Sequence, residues 1–101
     1  MADIEYSYEN IADGRKGVTT AGTAERLVSA STAIRKVIIK AFPENTDVVV
    51  VGASTVVAAL ATRRGISLSP GESVTLRVSD LYTVYADAVV SGEGVSFVYF
   101  W

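Results

Sequence analysis

The sequence predicts an all-β fold, a single antiparallel β-sandwich or jelly-roll-like barrel of about seven strands with an extended N-terminal arm. Valine is the commonest residue and leucine is scarce, and an excess of β-branched residues is typical of strands. Apolar runs separated by turn residues recur about every 8 to 12 residues, the spacing of sandwiches and barrels. A chain of 101 residues that is 50% hydrophobic is one domain with one core.

The N-terminal segment differs from the rest of the chain in being polar, acidic at first and then briefly basic. We therefore divide the chain into an arm at residues 1–21 and a β-sandwich domain at residues 22–101. The arm carries four large apolar side chains: Ile4, Tyr6, Tyr8 and Ile11. Ile4, Tyr6 and Tyr8 alternate as in an extended segment. Ile4, Tyr8 and Ile11 also fit one face of a helix. The segment is either a frayed terminus or an arm that docks on a neighbouring subunit.

Seven strands are expected after the arm, at residues 23–30, 33–42, 47–52, 66–69, 73–79, 82–90 and 94–101. Pro43 marks a turn at residues 42–46, because proline fixes φ and donates no hydrogen bond. Pro70 and Gly71 occupy the central positions of a type II turn at residues 69–72. Residues 91–94 predict a hairpin that joins the last two strands.

The segment Val48–Val51 is apolar on both faces, so its strand is expected to be central or covered on both sides. With the residues that follow, it resembles a dinucleotide-binding strand–turn–helix. That motif needs three glycines near the phosphates, and only Gly52 is present, with Ser54 and Val57 at the other two positions. We therefore expect a buried strand followed by a long connection with one helical turn at residues 56–61.

The last strand carries bulky groups on both faces, Val95, Phe97, Tyr99 and Trp101 on one and Val98 and Phe100 on the other. A single core covers only one of these faces. A last strand is also often an edge, and an open apolar edge invites uncontrolled pairing. Burial in a closed homo-oligomer would solve both problems.

Catalytic and metal-binding groups are scarce, because the chain has no histidine and no cysteine. Asp80, Asp87 and Glu93 offer an acid–base pair or calcium ligands, but they lack the dense oxygen spacing of a calcium loop and adjoin turns, where carboxylates are solvated. Lys36 and Lys40 share one strand face as solvent-facing charges do, although the sequence leaves Ser–Lys chemistry open. We expect a non-enzymatic protein with no catalytic residue, metal or cofactor.

The charge pattern bears on partners, since the net charge is −2 with acids and bases interspersed. Nucleic acids and anionic membranes both require a basic patch, so neither is expected as a partner. The longest uncharged stretch, residues 48–62, is too short and too polar for a membrane span. The N-terminus lacks the basic and apolar regions of a signal peptide. Arg63 and Arg64 either close a loop or contact an acidic partner.

Five segments of the chain carry a likeness to a known class of protein: residues 34–41, 45–46 with 50–52, 65–74, 80–86 and 95–99. Their turn and strand patterns, which include Leu-x-Pro-Gly-Glu-Ser and Leu-x-x-Val-Tyr, resemble small virion structural proteins of tailed bacteriophages over residues 27–101. The resemblance implies a capsid decoration or cementing protein, a head-fibre base or a tail component. The connection at residues 54–64 is longer and more apolar than the resemblance leads us to expect.

The resemblance further implies a protein made in the host cytoplasm and located on the capsid surface of the virion. Its partners would be copies of itself, with a homotrimer favoured, and the major capsid protein or another virion protein. The candidate interface residues are Ile4, Tyr6, Tyr8, Ile11, Val98, Phe100, Trp101, Arg63 and Arg64. The alternative is a tail or receptor-binding β-sandwich that binds carbohydrate or another small ligand through its tyrosines.

Overall fold

The computed structural model describes residues 8–101, which form two four-stranded antiparallel sheets. The eight strands are β1 (Ile11–Gly17), β2 (Glu25–Arg26), β3 (Lys36–Ala41), β4 (Val49–Gly52), β5 (Ile66–Leu68), β6 (Ser73–Leu76), β7 (Tyr85–Ala88) and β8 (Gly94–Phe100). Sheet A has the order β1-β8-β3-β6, and sheet B has the order β2-β7-β4-β5. The predicted all-β sandwich is confirmed.

Successive strands alternate between the two sheets, and only β4 and β5 are consecutive partners. Eight strands in this order form a double-sheet jelly roll. The turn before β8 is present, since the Glu93 N–H donates to the Val90 carbonyl (3.2 Å) and Gly92 has a φ of 91°. The predicted hairpin is nevertheless wrong, because β7 lies in sheet B and β8 in sheet A. Turn residues specify a chain reversal, but they do not specify which sheet the next strand joins.

Strand β1 corrects the predicted boundary of the N-terminal arm. The part of the arm from Ile11 to Gly17 pairs along its whole length with β8, from Ile11 opposite Phe100 to Gly17 opposite Gly94. The sandwich therefore begins at Ile11 in β1 rather than at residue 22, and Val18, also assigned to the arm, is fully buried. Charges and glycines give this segment little strand propensity of its own, so its conformation comes from pairing with β8. Ile4 and Tyr6 lie outside the described residues.

Strand β8 occupies the middle of sheet A, between β1 and β3, so the expectation of an edge is also wrong. Its inward residues enter the core, with Val95 0% and Phe97 4% exposed. Gly14 faces the Phe97 ring, and a Cβ at this glycine would lie 2.8 Å from the ring's Cζ. The glycine therefore lets the ring extend beneath β1.

The core lies between the two sheets and is formed by the side chains that point inward, at every second residue along the strands. The fully buried members include Val37 and Ile39 from sheet A and Val49 and Val51 from sheet B, each 0% exposed. This two-residue period is the one that the sequence predicted for half-buried strands.

The strand β4 is covered on both faces, as its run of valines predicted. Val50 is also 0% exposed, but it points away from the main core and packs with Val56 and Ala58. These two residues belong to the long connection after β4, which contains a 3-10 turn at Leu60–Thr62. The connection therefore shields the outer face of sheet B, whereas no described segment covers the outer face of sheet A to this extent. In the described part of the chain, no helix has the length and apolar character to cross a bilayer.

Candidate functional site

The outer face of sheet A is the first candidate site, and it combines an apolar centre with charged neighbours. Its residues are Ile11, Asp13 and Arg15 of β1, Ser96, Val98 and Phe100 of β8, Lys36, Ile38 and Lys40 of β3, and Ser73 and Thr75 of β6. Val98 lies opposite Ile38, and Phe100 lies between Ile11 and Lys36. Ile38, Val98 and Phe100 are half-buried, and Ile11 is 68% exposed.

Tyr8 extends this apolar centre at one end of the face. Its ring centroid lies 5.7 Å from that of Phe100, and the Lys36 ammonium lies over both rings at 5.9 and 5.4 Å. The Arg77 guanidinium donates a hydrogen bond to the Tyr8 hydroxyl (3.0 Å). Four of the residues proposed from the sequence as interface, Tyr8, Ile11, Val98 and Phe100, thus lie on one surface.

The remaining described candidates lie elsewhere. Trp101 follows β8 on the inward side and stacks on Tyr99, with ring centroids 5.7 Å apart. Arg63 donates from Nε to the Ala58 carbonyl (2.9 Å), and Arg64 exchanges two backbone hydrogen bonds with Val57. Both arginines therefore close the connection beside sheet B, as the loop-closing alternative expected, and the fold does not bring them to the outer face of sheet A.

Cations predominate among the charges on the outer face. Among the strand residues described on this face, Lys36, Lys40 and Arg15 carry positive charge and Asp13 carries negative charge. The Arg15 guanidinium lies 4.5 Å from the centroid of the Phe42 ring. An apolar centre with basic neighbours is complementary to a partner surface that is apolar and acidic.

A cleft at the open side of the sandwich is the second candidate site. It has a volume of about 750 Å³ and lies between β1 and residues 26–29. A salt bridge between Lys16 and Glu25 (2.9 Å) joins the two sheets here. Burial raises the pKa of Glu25, but hydrogen bonds from Lys16 and the backbone of Thr20 and Thr19 outweigh it, so the pKa lies below its usual value.

Aromatic rings line this cleft, but most of their faces are already covered. Tyr99 stacks between Phe97 and Trp101, with centroids 6.1 and 5.7 Å away. The Arg26 guanidinium lies 3.7 Å from the Tyr82 ring centroid and donates to the Tyr82 carbonyl (2.6 Å). The rings therefore offer a sugar less free stacking surface than their number suggests.

The carboxylates that the sequence offered for acid–base work each hold a loop in place. Asp87 was expected to be solvated beside a turn, but it is 0% exposed in β7. There it accepts hydrogen bonds from the Gly22, Ala58 and Ala88 N–H groups. The expectation fails because the loops before β2 and after β4 fold over this strand. These bonds give Asp87 a structural role.

Asp80 and Glu93 also accept hydrogen bonds from neighbouring loops. Asp80 accepts from the Ser31 hydroxyl (2.6 Å) and the Thr32 and Tyr82 N–H groups, and the Ser31 bond is the largest cause of its lowered pKa. Glu93 accepts from the Thr46 hydroxyl and N–H; burial opposes the shift, but these bonds bring its pKa below the usual value. Between residues 8 and 101, no group of three acidic side chains is placed to hold a metal ion.

The sequence analysis did not place Asp13 and Arg15 on the outer face of sheet A, because it assigned both residues to the arm. Their alternation with Ile11 on one side of an extended segment is the signal that points to a strand, but glycines and charges obscure it.

Comparisons with known proteins identify no relative: no protein-family model, curated protein or solved structure matches the chain. Function is therefore inferred from the geometry of these surfaces.

Proposed function

We propose that this protein is a non-enzymatic structural component of a tailed-bacteriophage virion. It acts as a capsid decoration or cementing protein, or as the base of a head fibre, and it binds the capsid surface as an oligomer. The observation that carries the proposal is the outer face of sheet A, where Ile38, Val98 and Phe100 form an apolar centre that no described segment fully covers. Contiguous apolar surface that stays partly open to solvent, as here, is typical of interaction sites.

The chemistry of the face indicates what it would bind. Apolar contact at Val98 and Phe100 would contribute about 25 cal/mol per Å² removed from water. Lys36, Lys40 and Arg15 would orient the protein on an acidic patch of the major capsid protein or of another virion protein. Binding by these exposed charges weakens as salt increases, because salt screens them.

The sequence resemblance and the fold both support a virion role, by analogy. Jelly rolls occur in viral capsid proteins and in lectins, although a fold alone does not fix a function. The resemblance implies a homotrimer as the bound form. Several linked copies would raise the apparent affinity for a shell that presents the same patch repeatedly. Cementing would then raise the resistance of the shell to heat.

The test measures binding to isolated shells from which the protein is absent, by co-sedimentation and by calorimetry of the shells. The outer-face double variant Ile38→Thr/Val98→Thr is compared with Ile66→Thr/Val90→Thr, which makes the same two changes at residues 43% and 40% exposed on other surfaces. The outer-face variant should lose about tenfold or more in affinity, which corresponds to about 1.4 kcal/mol, while the control changes little.

One result would contradict the proposal, and a second would rule out its cementing form. Equal binding by the two double variants would show that the outer face does not contact the shell. A shell transition temperature that stays constant at saturation would exclude cementing and favour a head-fibre or adhesion role. Thermal unfolding of each free variant shows whether a loss of binding reflects a loss of folding.

The alternative function is a tail or receptor-binding module for carbohydrate, and the cleft beside β1 favours it. The cleft combines the Tyr82 ring with the charged groups of Arg26 and Glu25, which suit a polar ligand with an apolar face. A glycan ligand should raise the melting temperature of the protein, and Tyr82→Ala should abolish that rise. The same variant should leave shell binding unchanged if the outer face of sheet A binds the shell.

A further inference from the structure

The free edge of β1 is the longest strand edge of the described molecule that has no partner. β1 closes one side of sheet A and contains seven residues, whereas the edge strands of sheet B, β2 and β5, contain two and three. Asn10 and Trp101 exchange both of their backbone hydrogen bonds (2.9 and 3.2 Å). Because such pairs alternate along antiparallel strands, the even-numbered residues of β1 face β8 and the odd-numbered residues direct their N–H and C=O groups outward.

The two charged odd-numbered residues of β1, Asp13 and Arg15, are exposed on the outer face. Among residues 8–101 the salt bridge is between Lys16 and Glu25, so neither Asp13 nor Arg15 belongs to an ion pair. Their spacing of two places them symmetrically about Gly14. The strand edge is therefore complementary in charge to itself when it is rotated by 180° about this glycine.

We propose that this edge binds a second copy of the same chain by antiparallel strand addition, centred on Gly14. Asp13 then lies opposite Arg15 of the second copy, and Arg15 lies opposite Asp13 of the second copy. Both are odd-numbered residues with outward backbone groups, so their main chains exchange hydrogen bonds. The neighbouring two-fold registers, centred on residue 13 or 15, place two aspartates or two arginines directly opposite each other, which is unfavourable.

The glycine at the centre fits this arrangement. Gly14 would lie opposite its own copy in a pair without hydrogen bonds, where the two main chains approach to about 4.5 Å between Cα atoms. The contact is two-fold and closes at two copies, so it predicts a dimer in place of the homotrimer that the resemblance implies. In this dimer the two A sheets become one continuous sheet. This inference goes beyond the virion proposal and does not depend on it.

The first test uses disulfide formation, which is specific because the chain has no cysteine. The variants Asp13→Cys and Arg15→Cys, mixed and oxidised, should form a covalent dimer. Either variant alone should not, because two copies of one position lie on a diagonal of about 7 to 8 Å, beyond the reach of a disulfide. The matched control mixes Ser73→Cys with Thr75→Cys, which have the same spacing and face on the opposite edge strand, β6.

The second test measures the dimer by sedimentation equilibrium at micromolar concentration. Arg15→Asp places like charges opposite each other and should weaken dimerisation about tenfold or more, whereas Asp13→Arg/Arg15→Asp restores opposite charges and the dimer. A folded monomer or a trimer of the unmodified chain, or equal cross-linking in the β6 control, would overturn the inference. Such a result would leave the shell-binding proposal standing, because that proposal is tested with separate variants.

Discussion

Asp87 should be among the most important single side chains for the stability of this fold. Its Oδ1 accepts from the Gly22 N–H and from the Ala88 N–H, and its Oδ2 accepts from the Ala58 N–H, each at 2.9 Å. Asp87→Asn preserves the shape of the side chain but turns one acceptor into an NH2 group. Whichever way the amide is oriented, at least one buried N–H then faces a donor and loses its bond.

The size of the effect follows from the number of bonds involved. A hydrogen bond to a charged group contributes about 1.5 to 3 kcal/mol, and a buried group left without a partner costs about 1 to 3 kcal/mol. With one bond lost and the others weakened, the free energy of unfolding should fall by about 2 to 4 kcal/mol. In a domain of this size that corresponds to a decrease of roughly 10 to 25 °C in melting temperature.

Urea unfolding followed by circular dichroism measures this difference, with the m-value showing whether both variants expose the same surface. Glu44→Gln is the matched control, because it removes a carboxylate charge from an exposed turn residue and should change stability by less than about 0.5 kcal/mol. Hydrogen exchange should accelerate at the Ala58 or Gly22 amide before the rest of the core. A variant at position 87 as stable as the control would refute this account of Asp87.

Three further outcomes are expected. The pKa of Asp80 is lowered in the folded state, so the stability that it contributes is complete above its usual value of 3.8 and is lost as pH falls through the lower folded pKa. The urea midpoint, measured between about pH 2 and 6, should therefore depend less on pH in Asp80→Asn than in the unmodified chain. The same decrease at low pH in both proteins would contradict this. Gly14→Ala should destabilise the protein by about 1 to 3 kcal/mol in thermal unfolding, because the added Cβ would lie 2.8 Å from the Phe97 ring. Gly17→Ala is the control and should cost less, since the atom nearest to its added Cβ is 3.4 Å away. Deletion of residues 1–17 removes β1 and uncovers one side of β8, so the truncated chain should lose its cooperative unfolding transition. A melting temperature equal to that of the full chain would instead show that this segment is a separate arm.

Local pattern was enough to predict most strands of this fold. The expected strands at 33–42, 47–52 and 94–101 overlap β3, β4 and β8, because alternation and apolar runs report burial directly. The type II turn was also correct, with φ of 81° at Gly71 and a hydrogen bond from the Glu72 N–H to the Ser69 carbonyl (2.8 Å). In these places the local preference and the tertiary structure agree.

Elements whose conformation depends on distant residues were not predictable in the same way. The expected strand at 82–90 begins only at Tyr85, because Asp80 caps a 3-10 turn at Leu81–Thr83 through the Tyr82 N–H. The expected strand at 23–30 shortens to Glu25–Arg26. Strand β1 was missed because the residues that make it a strand are those of β8, far along the chain.

The candidate site was predictable only in part for the same reason. Alternation in the last strand placed Val98 and Phe100 together on a face away from the core. It did not show that Ile38 and Lys36 lie beside them, since cross-strand register is not encoded locally. Asp13 and Arg15, which carry the proposed pairing of two copies, required the position of β1.

The central position of β8 in sheet A also sets the order in which the molecule is completed during synthesis. β1 is made before the other seven described strands and its partner β8 after them, with Ile11 opposite Phe100. At about 5 to 20 residues per second, the ribosome needs roughly 4 to 15 s to pass from one strand to the other. Until then β1 has no strand to pair with, and the inward side of β3 lacks Val95 and Phe97 as neighbours. Sheet A is thus complete only after translation has reached β8. A ribosome stalled before Gly94 would hold a chain with exposed strand edges for a chaperone to bind.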